Sequence, residues 1–355
     1  MTSGDAGYHV AGTTATPTPG ASITVGVVFG GASSEHEVSC SSAKGVLAHL
    51  DTERFTVVLI KIGRDGLWQR VSTVDEGVTT GSVLPDLSEL DVILPVLHGR
   101  FGEDGTVQGL FELAGVPYVG CGVLSSALAM DKIMTQNVLS AAGLPTVPTV
   151  EITARERDTA AANAADIGYP VFVKPNRAGS SVGVSRVDSP AALDAALELG
   201  LASDDTVLLQ PLVVGQEIAL GVLQRADGEL VVGEPLRIVT AQGSTFFDYA
   251  AKYTDGGHEF EIPARLADDV RATLEGHAIA AFRSLRCEGL ARVDFFVTAD
   301  GTVLLNEVNT MPGMTVLSIF PTIWQASGLG YRELLNELLG RALVARTARS
   351  RPTVC

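Results

Sequence analysis

Cysteine is scarce in this chain of 355 residues, and long apolar runs are missing. The four cysteines are scattered, with neither a CxxC pair nor the spacing of metal ligands, which excludes a disulfide framework and favours reduced thiols. No apolar run reaches the roughly 18 residues of a membrane helix, and the N-terminus lacks the basic and apolar parts of a signal peptide. We therefore predict a cytoplasmic protein with no membrane partner and with a disordered tail over residues 1–20.

Positive charge is also scarce. The chain has 41 acidic residues against 25 basic ones, a net charge of −16, and such a surface repels the phosphate backbone of a nucleic acid. We therefore predict no nucleic-acid partner. Only five of the basic residues are lysines: Lys44, Lys61, Lys132, Lys174 and Lys252. An acidic protein that binds an anion has to concentrate cations at one site, so each lysine is a candidate ligand contact.

The length and the hydrophobic fraction of 46% predict two or three domains with sizeable cores. Strand-like segments at 23–29, 56–62 and 92–97 alternate with helix-like segments at 38–50 and 107–114, which predicts an open α/β domain over residues 21–120. Shorter strands and helices follow in a central lobe (121–211) and a C-terminal lobe (212–355). The predicted fold class is α/β, with three lobes.

The segment VFVKPNRAGSSVG at 171–183 places Lys174 on a strand just before a Gly/Ser-rich loop. Backbone N–H groups of such a loop can bind phosphates, and the lysine adds a positive charge. The segment is not a P-loop, because no GK[ST] opens a helix. Its GSSVG matches the GxSxG pattern of serine hydrolases but lacks the strand before and the helix after the serine. An ordinary β-hairpin loop is the remaining alternative.

Polar residues also recur on two largely apolar strands near residues 291–296 and 304–309. Arg292 and Asp294 share one strand face, as do Glu307 and Asn309, and a hairpin would gather all four. Carboxylate and amide oxygens suit Mg²⁺ that carries nucleotide phosphates. A solvated polar face is the alternative, but the apolar neighbours indicate burial, and buried acids need a cation. We therefore predict a metal site on this hairpin.

Three further segments have the composition of functional loops. GGASSEHEVS (30–39) follows the first strand, where α/β domains bind ligands, and HGRFGEDG (98–105) follows another. His98 lies in the second of these, and a lone histidine is more often structural than catalytic. FFDYAAKY (246–253) has neither helical nor strand periodicity and is predicted to be a lid.

Together these segments resemble the D-alanine–D-alanine ligases of the ATP-grasp superfamily. The matching text is GGASSEHEVS (30–39), HGRFGEDG (98–105), MDK (130–132), VFVKPNRAGSSVG (171–183), FDYAAKY (247–253), ARVDFF (291–296) and NEVNTMPGMT (306–315). The resemblance extends from about residue 23 to 345. It implies a three-lobed ATP-grasp fold and a homodimer that joins two D-alanine molecules through a D-alanyl phosphate, with ATP as co-substrate, for peptidoglycan precursor synthesis.

The resemblance also implies the residues that bind ATP and metal. The implied ATP-binding residues are Lys132, Lys174, Ser180, Ser181, Gln210, Leu212, Glu217 and Lys252. Two Mg²⁺ ions, for which Mn²⁺ can substitute, are implied at Asp294, Glu307 and Asn309. Within this set the lysines would contact phosphates and Glu217 the ribose hydroxyls.

The implied catalytic residues are Glu35, Ser180, Tyr253, Arg292 and Gly313, and the implied substrate-binding residues are Glu35, His98, Ser318 and Ile319. Arg292 and the Gly313 backbone N–H would stabilise the tetrahedral oxyanion. Glu35 would bind the first ammonium group and, with Ser180 and Tyr253, close the lid. Ser318 and the backbone of Ile319 would bind the second carboxylate.

The chain departs from the family pattern at the adenine contact, where the family usually has glutamate and this chain has Gln210 followed by Pro211. The amide keeps a carbonyl acceptor, but the charge is gone and proline removes a backbone donor. Two alternatives stay open at this point. One is a ligase that joins D-alanine to D-lactate, against which Tyr253 argues, and the other is a non-catalytic ATP-binding regulator.

Overall fold

The computed structural model describes residues 22–179, 182–240 and 258–349. The predicted N-terminal tail, Ser180, Ser181, and the predicted lid with Lys252 and Tyr253 lie outside these ranges. Three β-sheets organise the described chain, and each is built from strands of one of the three predicted segments.

The N-terminal sheet has the strand order β3-β2-β1-β4. Its strands are β1 (Ile23–Gly30), β2 (Phe55–Ile62), β3 (Trp68–Val71) and β4 (Val92–Val96), with helices α1 (His36–His49) and α2 (Thr106–Ala114). β1 pairs in parallel with both β2 and β4, which confirms the predicted α/β pattern, and β3 adds an antiparallel edge that the sequence analysis missed. The fully buried β-branched residues of β1 explain why this strand lies in the middle of the sheet.

Helices α3 (Val123–Met130) and α4 (Lys132–Ala141) follow. Asp131 caps α4, where its carboxylate accepts a 3.0 Å hydrogen bond from the backbone N–H of Met134. The predicted boundary at residue 121 assigns both helices to the central lobe. However, Leu139 and Leu144 lie in the apolar core of the C-terminal sheet. Hydrophobic packing therefore joins this segment to the C-terminal lobe.

The central sheet has the order β5-β8-β6-β7, and every pair in it is antiparallel. Its strands are β5 (Val150–Thr153), β6 (Val171–Pro175), β7 (Ser185–Val187) and β8 (Thr206–Pro211), and helices α5 (Ala160–Ile167) and α6 (Leu193–Leu201) cover one face. Short 3₁₀ turns at Ala154–Thr159 and Pro190–Ala192 precede the two helices. The other face is left to the cavity described below.

The C-terminal sheet has the order β12-β11-β9-β13-β14, with β10 also paired to β9. The strands are β9 (Gly215–Gln224), β10 (Leu230–Val232), β11 (Leu236–Thr240), β12 (His258–Glu261), β13 (Leu290–Thr298) and β14 (Val303–Asn309). The helices are α7 (Asp268–Ser284), α8 (Ile319–Ala326) and α9 (Tyr331–Arg349). The leucines of α9 pack in the core of the N-terminal sheet, so the last helix ties the first and last parts of the chain together.

In the described ranges, no helix combines the length and the apolar character needed to span a bilayer.

Candidate active site

One cavity of about 950 Å³ is lined by residues of all three predicted lobes. Every predicted site residue in the described ranges lines it: Glu35, His98, Lys132, Lys174, Gln210, Leu212, Glu217, Arg292, Asp294, Glu307, Asn309, Gly313, Ser318 and Ile319. Ser180, Ser181, Lys252 and Tyr253 lie outside those ranges. Residues far apart in sequence thus share a single concave site of the size that holds a nucleotide and small substrates.

The β13–β14 hairpin gathers four polar side chains on one surface, as the strand periodicity predicts. Arg292 lies opposite Asn309, and Asp294 lies opposite Glu307 in the antiparallel register. Arg292 donates two hydrogen bonds to Asp294, from Nε to Oδ1 at 2.8 Å and from Nη2 to Oδ2 at 2.7 Å. Asn309 Nδ2 donates to the same Oδ2 at 3.1 Å. The hairpin is therefore a preformed, charged wall of the cavity.

The guanidinium of Arg292 is buried among carboxylates. Burial alone would lower the pKa of Arg292, but the charge of Asp294 and its hydrogen bonds to the guanidinium, with the charge of Glu307 adding to them, outweigh burial and raise that pKa above its ordinary value. A permanent positive charge therefore sits at the centre of the cavity wall, in a low-dielectric environment where its interaction with a developing anion is strong. Only two of its five N–H donors are needed for Asp294.

The donor set of Asp294, Glu307 and Asn309 fits a hard divalent cation. Two carboxylates opposite each other on neighbouring strands repel and favour a cation between or beside them, and an amide oxygen is an ordinary third ligand for Mg²⁺. Among the described residues, no three His, Cys, Asp or Glu side chains cluster as ligands. The protein thus supplies two carboxylates and an amide, which leaves coordination positions for phosphate oxygens.

Glu35 lies at the N-terminal end of α1, buried to 7% exposure. Two glycines border its carboxylate: a Cβ at Gly99 would lie 2.4 Å from Oε2, and one at Gly179 would lie 2.8 Å from the same atom. Gly99 follows β4, and Gly179 belongs to the Gly/Ser-rich loop after β6. The carboxylate is therefore held where the N-terminal domain meets this loop, in a space that only glycine leaves open.

Glu103, which the sequence analysis did not select, is a second carboxyl in this region and is only partly exposed. The backbone N–H of Gly99 donates to its Oε1 at 3.0 Å. Burial, with the charge of Glu35 adding to it, raises the pKa of Glu103 to about 8. Glu103 therefore carries its proton near neutral pH and does not place a second full negative charge beside Glu35.

The ring of His98 is engaged on both sides by the protein. Nδ1 lies 3.1 Å from the carbonyl oxygen of Met311, and Nε2 lies 3.2 Å from the hydroxyl of Ser42. Since a carbonyl only accepts, Nδ1 carries the proton and Nε2 accepts from Ser42. Burial lowers the pKa of His98, which agrees with a neutral ring. His98 thus links the end of β4 to the loop after β14, and its contact with substrate stays a prediction.

The loop after β14 is anchored on both sides of Met314. The Ser42 hydroxyl accepts from the Met314 N–H at 3.2 Å, and the Tyr331 hydroxyl donates to the Met314 carbonyl. Tyr331 also stacks on His49 with ring centroids 4.7 Å apart. Gly313, whose backbone N–H is the predicted oxyanion donor, is thereby fixed next to a peptide that α1 and α9 hold in place.

The N-terminus of α8 opens onto the cavity at Ser318 and Ile319. The Ser318 hydroxyl accepts from the Thr315 N–H at 3.0 Å, and Ser318 itself is the N-cap residue. Unpaired N–H groups in the first turn of a helix attract anions. The arrangement suits a substrate carboxylate, which is the role predicted for these two residues.

At the opposite end, the cavity lies between the central and C-terminal sheets. Phe172 faces Gln210 across β6 and β8, and Lys174, two residues along β6, shares their strand face. The Lys174 ammonium lies 5.7 Å from the Phe172 ring centroid, and Lys132 donates to the carbonyl of Ala178 at 2.7 Å. A flat apolar surface beside two lysines suits a nucleotide.

Leu212, a predicted ATP-binding residue, lines the cavity, but its backbone N–H already donates to the carbonyl of Pro170 at 3.1 Å. This N–H group is therefore used within the protein. The amide of Gln210 keeps an acceptor, Oε1, for which the described residues supply no donor.

Comparison with known proteins agrees with this geometry. Residues 24–121 match the family "D-ala D-ala ligase N-terminus", and residues 138–340 match "D-ala D-ala ligase C-terminus". The D-alanine–D-alanine ligase of Corynebacterium aurimucosum is 45% identical over 350 residues, covering 90% of this chain and 98% of that protein. That of Nocardia farcinica is 43% identical over 358 residues, covering 92% and 98%.

Two solved structures share the fold. The D-alanine–D-alanine ligase from Coxiella burnetii superposes with a TM-score of 0.82 at 30% identity, covering 93% of this chain and 96% of that one. The VanG D-Ala:D-Ser ligase from Enterococcus faecalis superposes with a TM-score of 0.80 at 36% identity, covering 91% and 100%. These matches confirm the predicted ATP-grasp fold, and the chain belongs to the D-alanine–D-alanine ligase family, whose members use ATP.

Proposed function

We propose that this chain joins two D-alanine molecules into D-alanyl-D-alanine at the expense of ATP, for the synthesis of peptidoglycan precursors. The observation that carries the proposal is the single cavity, in which Glu35, the α8 N-terminus and Arg292 are arranged beside Lys132 and Lys174. The cavity thus offers groups of complementary charge to the ammonium of the first substrate, to the carboxylates of both substrates and to the triphosphate of ATP.

The first half-reaction activates a carboxylate. Glu35 binds the ammonium group of the first D-alanine, whose carboxylate oxygen attacks the γ-phosphorus of ATP and forms an acyl phosphate and ADP. Lys132 and Lys174 hold the phosphates, and Glu217 holds the ribose hydroxyls. Asp294, Glu307 and Asn309 would hold two Mg²⁺ ions, which supply charge neutralisation for the phosphates.

The second half-reaction forms the peptide bond. The free amine of the second D-alanine, whose carboxylate lies at Ser318 and the backbone of Ile319, attacks the acyl carbon. The carbonyl oxygen becomes an oxyanion next to Arg292 and the N–H of Gly313. As the tetrahedral intermediate collapses, the attacking nitrogen releases a proton, the C–O bond to phosphate breaks, and the departing phosphate takes the bonding electrons and can accept that proton. Both donors are positioned before the charge develops, which is the condition for electrostatic catalysis.

A phosphate-release assay tests the proposal, with products identified by mass spectrometry. We expect D-alanine with ATP to release phosphate and to give the dipeptide. Because the VanG D-Ala:D-Ser ligase is 36% identical, D-serine and D-lactate are added in separate competition arms. If a mixed dipeptide or an ester is the dominant product, the second substrate is D-serine or D-lactate and not D-alanine. If no arm releases phosphate, the result favours a non-catalytic regulator.

Substitution of Gly179 by alanine tests the position of Glu35. The new methyl group would lie 2.8 Å from Oε2 and displace the carboxylate, so kcat/KM for D-alanine should fall about tenfold, with ATP binding retained. Gly109→Ala is the matched control, since a Cβ there meets nothing within 4 Å. If Gly179→Ala and Gly109→Ala have the same kinetics, Glu35 does not bind the first D-alanine.

We also propose a cytoplasmic homodimer. The three cysteines in the described ranges are unpaired thiols, as expected in a reducing compartment. The homodimer rests on the family resemblance.

A further inference from the structure

The nucleotide end of the cavity contains a short chain of hydrogen bonds that begins at Val147. The Thr149 hydroxyl donates to the carbonyl oxygen of Val147 at 2.9 Å. The Gln210 Nε2 lies 2.8 Å from the same Thr149 oxygen. Since the only hydroxyl proton of Thr149 goes to Val147, its oxygen accepts from Gln210.

This direction fixes the orientation of the Gln210 amide. A flipped amide would place its carbonyl oxygen against the Thr149 oxygen, with no proton between the two acceptors unless the Val147 bond is broken. The hydrogen bonds from Val147 through Thr149 therefore hold Nε2 beside the residues that precede β5 and leave Oε1 on the other side of the amide. Gln210 is only 3% exposed, so water is largely excluded from the amide and does not supply an alternative partner for a flipped orientation.

The carbonyl oxygen of Gln210 is buried and has no hydrogen-bond donor among the described residues. Gln210 lines the cavity on the strand face that it shares with Phe172 and Lys174. A buried acceptor without a donor is unfavourable, and a ligand that brings an N–H group removes the deficit. Nearby backbone groups add no donor at 211, which is proline, or at 212, whose N–H is paired with Pro170.

We propose that Thr149 is a specificity-determining residue for the nucleotide. By holding Gln210 Nε2 at its own hydroxyl, Thr149 leaves the carbonyl oxygen as the polar group of this side chain that can meet the base, and it thereby selects a purine nucleotide with an amino group at C6 over one with a carbonyl group at C6. The amino group donates to Oε1, whereas a carbonyl oxygen would meet a second acceptor across a water-excluded contact. Thr149 acts through Gln210 and does not touch the base itself. The proposal deepens the proposed function, because it assumes that the nucleotide binds in this cavity.

ATP and ITP are the matched probes, because they differ in the C6 substituent and the accompanying N1 proton. Dissociation constants for both are measured by calorimetry with the full chain, Mg²⁺ and no D-alanine. We expect the wild type to bind ATP at least about tenfold more tightly than ITP. Thr149→Val removes the hydroxyl and keeps the shape, so the amide is free to turn and the ratio should fall about tenfold, mainly through tighter ITP binding.

Three variants complete the test. Thr149→Ser keeps the hydroxyl and should keep the wild-type ratio. Thr146→Val removes a hydroxyl from the same segment, one that lies 3.2 Å from Ser140, and should not change the ratio. Gln210→Glu can only accept, so its preference for ATP should equal or exceed that of the wild type.

A wild-type ratio near one would overturn the proposal, and so would a Thr149→Val ratio within twofold of the wild type. A Gln210→Glu ratio below the wild-type value would also overturn it, and this arm does not depend on the folding of the Thr149 variant. Because binding is measured without D-alanine, nucleotide selection is tested even if D-alanine supports no phosphate release, and the two failures are distinguishable.

Discussion

Replacement of Arg292 by alanine is expected to lower kcat for dipeptide formation by a factor of about 10²–10³, the usual effect of losing one oxyanion donor. The positive charge of Arg292 lies on the cavity wall, and the charge that it stabilises develops only during acyl transfer. An interaction made only in the transition state changes kcat much more than KM for ATP. Steady-state kinetics of phosphate release, with ATP and D-alanine varied separately, give both quantities.

The bidentate pair with Asp294 makes a second variant necessary. Without Arg292 the Asp294 carboxylate, whose side chain is 15% exposed, loses its cation, and breaking a buried pair costs about 3–5 kcal/mol of stability. Arg292→Lys keeps a cation but loses the planar fork, so it should fold while its kcat stays well below that of the wild type. If high Mg²⁺ restores kcat of either variant, Arg292 serves to balance Asp294 and is not an oxyanion donor.

The hairpin was the part of the site most open to prediction from sequence. The period of two along a strand places Arg292 with Asp294 and Glu307 with Asn309, whatever the rest of the fold does. The antiparallel register then adds only the pairing across strands. Similarly, the scarcity of lysine directed attention to Lys132 and Lys174, and both line the cavity.

Ser42, Glu103 and Thr149 were not found, because their roles depend on contacts between distant segments. Ser42 bonds to the backbone N–H of Met314, 272 residues away, and Thr149 bonds to Gln210, 61 residues away. No local period or spacing encodes such contacts. For Glu103, burial beside Glu35 is what distinguishes it from other acids, and burial of a loop residue is a tertiary property.

Two helices were missed for local reasons. α8 contains Pro321 and β-branched residues within a continuous apolar segment, which hides helical periodicity, and the proline is tolerated because it lies in the first turn. α5 is rich in alanine, and its buried residues Ala160 and Ala164 are too small to mark an apolar stripe. In both cases packing decides the structure where the hydrophobic pattern is ambiguous.

Glu103 leads to the second large expected effect, on the pH dependence of stability. Its pKa is about 8 in the folded chain, against a model-compound value of 4.5. Below about pH 4.5 the carboxyl is protonated in both the folded and the unfolded chain. Between about pH 4.5 and 8 the folded chain keeps a proton that the unfolded chain has released, so the stability contributed by the protonated group is lost progressively as pH rises. The loss is on the order of a few kcal/mol.

Glu103→Gln removes the titration and keeps an acceptor for the Gly99 N–H, so the variant should lose less stability than the wild type between pH 5 and pH 8.5. Melting temperatures of both proteins, measured without nucleotide and with a chelator, give the comparison. Glu151→Gln is the matched control, because Glu151 is exposed on β5 and its substitution should leave the wild-type pH dependence in place. Parallel melting curves for wild type and Glu103→Gln across this range would show that Glu103 ionises in the folded chain as an ordinary glutamate does, and the low-charge environment inferred around Glu35 would then be wrong.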